Sequence, residues 1–124
     1  MKITPLAADS LGARSMATLV ETPDVTVLVD PSVRLGPYRY DLPPHETEKA
    51  RQKELWQVIR QAAKKADVLT VSHYHYDHHN PAAPSVYRGK LAFLKDGKFH
   101  INRSQKERAG AFVRFPTSLR VMVP

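Results

Sequence analysis

Residues 46–66 place Leu55, Ile59, Ala62 and Ala66 along one helical stripe, with Val58 and Ala63 beside it. This is the recurrence of an amphipathic helix that buries one side. Glu46 and Glu48 stand at its start and Lys64 and Lys65 at its end, each sign where the helix dipole favours it. The run that follows, VLTVS (residues 68–72), is apolar or β-branched on both faces and reads as a strand covered on both sides, as in a parallel sheet. Ahead of the helix, MATLVE and VTVLVD are two further β-branched runs joined by the turn TPD, an antiparallel pair. Strand, helix and strand then form a crossover with Val25–Val29 parallel to Val68–Ser72. In such sheets ligands bind outside the carboxyl ends of the strands, and those ends are Asp30 and His73.

The rest of the chain is less regular. PSVRLGPYRYDLPP (31–44) is proline-rich and aperiodic, a long loop. KLAFLKDGKFHIN suggests a hairpin about Asp96-Gly97, with His100 as a strand histidine. Ser104 and Glu107 form a capping box for a helix from Gln105 to Arg114, stopped by Phe115-Pro116. Trp56 belongs to the packing side of the long helix.

The 124 residues suffice for one domain with a core, and the absence of cysteine excludes disulfides and thiolate metal sites. It also fits a reducing, cytoplasmic setting. No apolar run approaches the ~20 residues of a membrane helix, and MKITPLAADS has no apolar segment of a signal peptide. The formal net charge of +7 is concentrated after residue 89, where eight Lys or Arg face two acids. A basic end suits an anionic ester or nucleic acid as partner, although no nucleic-acid-reading motif is present.

VSHYHYDHHN (71–80) gathers four of the six histidines within seven residues, around Asp77. Imidazole and carboxylate are ligands for zinc, and also for iron or manganese. His73 and His75 share one side of an extended chain and can grip one ion. Asp77 and His78 follow after a turn and reach a second ion a few Å away, and two ions ~3.5–4 Å apart activate water for hydrolysis.

HYHYDH and the strand ending in LVDP resemble the signature motifs of the metallo-β-lactamase superfamily. MKITPLAADSLGARSMATLVET, LPPHE, SHYHYDHHNP and INRSQKERA further resemble a mostly archaeal branch of predicted metal-dependent hydrolases, over roughly residues 1–109. The resemblance implies an α/β fold, the N-terminal half of an αβ/βα sandwich with a mixed sheet and packed helices. It implies that His73 and His75 hold the first metal and Asp77 and His78 the second, with Asp77 also orienting or deprotonating the attacking water. Asp30 would brace the metal loop from behind. His79, outside the four-residue motif, would support that loop or simply belong to it.

A complete superfamily site draws a further histidine, a bridging aspartate and a last histidine from later in the chain. No histidine follows His100 here, and no acid follows Glu107. The expectation is therefore a single partial domain over residues 1–124, truncated at its C-terminus, with two ligands per zinc and turnover weak or absent. Uncovered sheet would favour self-association. The functional classes that remain are a metal-dependent hydrolase of an anionic ester, a non-catalytic metal-binding fragment, and an RNA- or DNA-processing protein.

Overall fold

The computed structural model describes residues 1–36, 38, 40–113 and 120–122. Strands β1 (Lys2–Pro5), β2 (Thr18–Glu21), β3 (Thr26–Val29), β4 (Val68–Val71), β5 (Leu91–Leu94) and β6 (Arg120–Met122) lie in one sheet in chain order. The pairs β1–β2 and β2–β3 are antiparallel, and β3–β4, β4–β5 and β5–β6 are parallel. Helices α1 (Glu46–Lys65) and α2 (Arg103–Val113) are the helical layer. The architecture is thus α/β with a mixed sheet, and the antiparallel β2–β3 pair and the parallel β3–β4 crossover lie where the sequence pattern puts them.

Register carries the core across the sheet. Leu19 faces Leu28, Leu28 faces Leu69, and Leu69 faces Ala92, and all four are buried. Against this row α1 lays Leu55, Ile59, Ala62 and Ala63, its only fully buried residues. The apolar stripe of the helix therefore matches a stripe of the sheet, and burying Ile59 contributes ~1.5–3 kcal/mol. The second face of β4 is only half covered, since Val68 and Thr70 keep intermediate exposure.

Two devices fix the crossover. At its start, the His45 Nδ1 accepts from the Thr47 backbone N–H at 3.2 Å, and the Glu48 carboxylate accepts from the His45 N–H at 2.8 Å. This reciprocal cap satisfies two of the helix's free donors. At its end, Asp67 clamps β3. Its N–H donates to the Thr26 carbonyl at 2.9 Å, and its carboxylate accepts from the Thr26 N–H at 2.8 Å.

Several expectations need correction. β1 is a strand that the sequence reading did not mark, because Lys2–Pro5 is mostly exposed and ends on proline. No hairpin forms about Asp96-Gly97. β5 pairs parallel with β4 instead, and the Asp96 carboxylate accepts the N–H groups of Lys98 and Phe99 in a local turn. His100 follows in the left-handed region at φ 51° rather than in a strand. Helix α2 begins at Arg103, and Asn102, not Ser104, receives the Gln105 N–H at 3.0 Å. The Phe115-Pro116 stop lies outside the described residues. Among the described residues no helix is long and apolar enough to cross a membrane.

The packing predicts a sharp contrast between neighbours on α1. Ile59→Ala should cost ~2–5 kcal/mol, since Ile59 has no exposed surface. Val58→Ala, at a position 45% exposed, should stay within ~0.5 kcal/mol. Urea unfolding of both variants checks this.

Candidate functional site

The ends of β3 and β4 converge on Asp30. Its backbone sits at φ 47°, a left-handed conformation that aspartate tolerates better than most residues. Its N–H donates to the Thr70 carbonyl at 2.9 Å. This geometry turns the carboxylate inward, where only 4% of the residue is exposed. Three donors meet it: the Ser72 N–H at 2.7 Å, the Ser72 hydroxyl at 2.7 Å and His78 Nδ1 at 2.9 Å. Burial alone pushes the Asp30 carboxyl up, but the hydrogen bonds from His78 and Ser72 outweigh it and hold the group below the usual aspartate range.

Those bonds imply which ring nitrogens carry the hydrogen. An ionised carboxylate only accepts, so His78 Nδ1 carries the hydrogen and, in the neutral ring, Nε2 presents its lone pair. The Ser72 hydroxyl spends its single hydrogen on Asp30. It therefore accepts from His73 Nδ1, 3.0 Å away, and His73 Nε2 presents its lone pair, which lies within hydrogen-bond distance of His75 Nδ1. One buried carboxylate thus orients two histidines, the first directly and the second through a serine. This is the arrangement by which a supporting carboxylate prepares histidines as metal ligands. The His73 and His78 rings stand 3.9 Å apart between centroids. Burial, then repulsion from His78 and His75, holds His73 below the usual histidine range and favours its neutral form.

The four motif residues pair off. His73 Nε2 lies 3.0 Å from His75 Nδ1, and His78 Nε2 lies 3.5 Å from Asp77 Oδ2. With ligand bonds of ~2.0–2.2 Å, such separations correspond to ligand–metal–ligand angles of about 95° and about 115°. Each pair therefore fits two positions of one ion's coordination shell. Neither pair has a third member: among the described residues no group of three or more His, Cys, Asp or Glu side chains is arranged to hold a metal ion.

The neighbours of the cluster play other parts. His79 is wholly buried. Its Nδ1 donates to the His75 carbonyl at 3.0 Å, and its Nε2 has no partner. It packs edge-on against Tyr74 and Phe112, pinning the loop behind the cluster rather than joining it. Tyr74 is a core residue whose hydroxyl donates to the Lys95 carbonyl at 2.5 Å. Tyr76 does reach solvent, and its carbonyl accepts from the Ser32 hydroxyl at 2.6 Å. His45 caps α1 and His100 lies in a separate turn. The residues that sequence reasoning missed are Ser72, the relay to His73, and Arg14, whose guanidinium lies 3.7 Å from Asp77. Ser72 had a signal, since it adjoins the first histidine at a strand's carboxyl end. Arg14 had none, because its approach depends on tertiary pairing with Arg34.

The fold and site together define an α/β chain with a histidine–aspartate cluster at the carboxyl edge of its parallel strands. Comparison with known proteins then finds similarity to archaeal proteins named UPF0282. The chain is 53% identical over 115 residues to one from Korarchaeum cryptofilum, an alignment spanning 92% of this chain and 39% of that protein. It is 54% identical over 118 residues to one from Saccharolobus solfataricus, spanning 92% and 38%. It is 50% identical over 125 residues to one from Methanopyrus kandleri, spanning 91% and 43%. The chain thus spans 38–43% of the length of these relatives. No family model matches it, and no solved structure matches it. These findings overturn the assignment to the metallo-β-lactamase superfamily. The relatives carry a different name, no model of that superfamily matches, and no three-ligand metal group is present among the described residues.

Asp30 yields a prediction with a pH signature. Its folded pKa lies below its unfolded value, so its contribution is complete above the unfolded value of ~3.9 and is lost as pH falls through the lower folded value. Asp30→Asn keeps the left-handed backbone but removes the charge. It should cost ~1–3 kcal/mol at neutral pH and flatten the stability curve below pH ~4. Asp30→Ala adds backbone strain and should cost more. Urea denaturation from pH 2.5 to 7 measures both.

Proposed function

We propose that this chain carries part of a divalent-metal site serving the hydrolysis of an anionic ester, phosphoesters foremost. The supporting observation is the paired spacing at the strand ends: two nitrogens from His73 and His75, and a nitrogen and an oxygen from His78 and Asp77. The orientation of the His73 and His78 rings, set through Asp30 and Ser72, adds to it. Nitrogen- and oxygen-rich sets of this kind suit zinc, with iron or manganese as alternatives. A bound ion supplies Lewis-acid polarisation of the ester oxygen.

The chain's own residues do the rest. Asp77, partly open to solvent, orients the attacking water and accepts its proton. Arg14 steadies that carboxylate from 3.7 Å. Asp30 and Ser72 keep the His73 and His78 rings from turning. The buried ring of His79 holds the loop backbone at His75.

Catalytic zinc takes three protein ligands and a water, whereas each pair here offers two. In this reading the remaining ligands come from outside the described residues or from a second chain. The two-ligand count also favours a second reading, in which these residues bind metal without turning over substrate.

Calorimetric titration of the chain with zinc should show binding weaker than that of a complete site. His73→Ala/His75→Ala should weaken it by more than the ~10–100-fold that loss of a supporting hydrogen bond costs. Equal zinc affinity in parent and double variant would overturn the reading. Hydrolysis of a generic phosphodiester by residues 1–124 should stay near background. Metal-dependent turnover by a protein of the relatives' full length would separate the hydrolytic reading from simple metal binding.

A further inference from the structure

Arg14 and Arg34 form an isolated antiparallel bridge, exchanging backbone hydrogen bonds of 2.8 and 2.9 Å. Residues directly opposite in such a pair project their side chains to the same side. Two guanidiniums are therefore held as cross-strand neighbours, an arrangement that repels and destabilises unless something between them carries negative charge. Asp77 meets only the first, at 3.7 Å. The guanidinium of Arg34 instead lies over the Tyr76 ring, 5.6 Å from its centroid. Arg108, from α2, lies over the same ring at 4.7 Å. Among the described residues neither Arg34 nor Arg108 has a carboxylate within ion-pair distance.

Arg14 thus adjoins Asp77, and Arg34 and Arg108, from two further segments, share the ring of the neighbouring Tyr76. Cation–π contact orients a guanidinium while leaving its N–H edge free to donate. A cleft of about 240 Å³ opens from Arg34, lined by Gln52, Lys53, Trp56 and Asn80 and by no acid. Arg14 itself borders a hollow of about 430 Å³ that also carries Asp9 and Glu48, and the hollow of about 610 Å³ carries Glu46 and Glu48, carboxylates that repel an anion; the hollows of about 380 and 330 Å³ touch none of the three arginines.

We propose that Arg14, Arg34 and Arg108 bind the phosphoryl group of a small phosphoester, whose organic portion lies along the Arg34–Lys53–Trp56 cleft. This rests on the hydrolytic reading above and names its substrate class. The guanidinium fork matches two phosphoryl oxygens at once. The anion relieves the Arg14–Arg34 repulsion, and the bound ester is placed next to Asp77. Trp56, half-buried against the core, offers an apolar wall to the ester's organic group.

The test is a titration of the chain with phenyl phosphate and with inorganic phosphate in the presence of EDTA, followed by NMR of the arginine Nε–Hε signals. Signals of Arg34 and Arg108 should move on addition of phenyl phosphate. Arg34→Gln/Arg108→Gln should raise its Kd by about tenfold or more, the scale of one lost charge-assisted bond. The lysine pair at the same positions should lose less, because charge remains without the fork. Arg103→Gln, an exposed change on the same helix, should leave Kd unaltered. Unchanged affinity in Arg34→Gln/Arg108→Gln, or binding of inorganic phosphate but not phenyl phosphate, would overturn the proposal. Because EDTA removes metal, His73→Ala/His75→Ala should still bind phenyl phosphate. Failure of the zinc titration alone therefore counts against the metal site and not against the arginines.

Discussion

The Asp30 carboxylate is the constraint on which the site depends. It is buried, it accepts three hydrogen bonds, and it joins the end of β3 to the segment that follows β4. A carboxylate so placed would be costly without partners, and each partner it takes is a piece of the site. The Ser72 N–H fixes the exit of β4, the Ser72 hydroxyl sets His73, and His78 is set directly. The left-handed backbone at Asp30 is what lets one residue both end a strand and point its side chain back across the sheet edge. Order in the histidine cluster is therefore a consequence of the parallel β3–β4 pairing. A slip of that register by one residue would move Asp30 to the other face.

A second feature is the way charge is distributed about that edge. Asp30 is enclosed and offset by the donors of Ser72 and His78. Asp77 is partly open and faces both a histidine and an arginine. The arginines beyond it are stacked on Tyr76 rather than neutralised. From inside to outside the edge passes from a buried negative group, through the imidazoles, to a positive rim. A positive rim of this kind attracts anions. The overall excess of basic residues in the chain is thus less informative than the few that converge here.

The sequence made the crossover legible because its signals agree. The helical stripe of α1, its charged ends and the β-branched runs of β3 and β4 all point to one local structure, and the carboxyl-edge rule then brings Asp30 to the histidines. Other parts were not legible for physical reasons. β1 lacks an apolar face. Parallel pairing of β5 with β4 defeats a hairpin that Asp-Gly alone would suggest, since tertiary pairing outweighs turn propensity. Asn102 outcompetes Ser104 as the cap because the helix starts two residues earlier than the Ser-Glu spacing implies. Within the site, Asp30, His73, His75, Asp77 and His78 are recognisable as residue types with a spacing. The relay through Ser72, the burial of His79 and Tyr74, and the Arg14–Arg34 bridge arise only from residues far apart in sequence. The motif's resemblance to a large hydrolase superfamily led to an assignment that the comparisons do not support, which shows how little a short spacing fixes about kinship.

The claim that Asp30 organises the cluster is tested most directly by the tautomers of the histidine rings, read from long-range proton–nitrogen NMR on the metal-free protein. In their neutral rings, His73 and His78 should both carry the hydrogen on Nδ1, with Nε2 unprotonated. In Ser72→Ala, His78 should keep that form while His73 loses its preference. An Nε2-protonated His78, or a His73 indifferent to the loss of the Ser72 hydroxyl, would contradict the account.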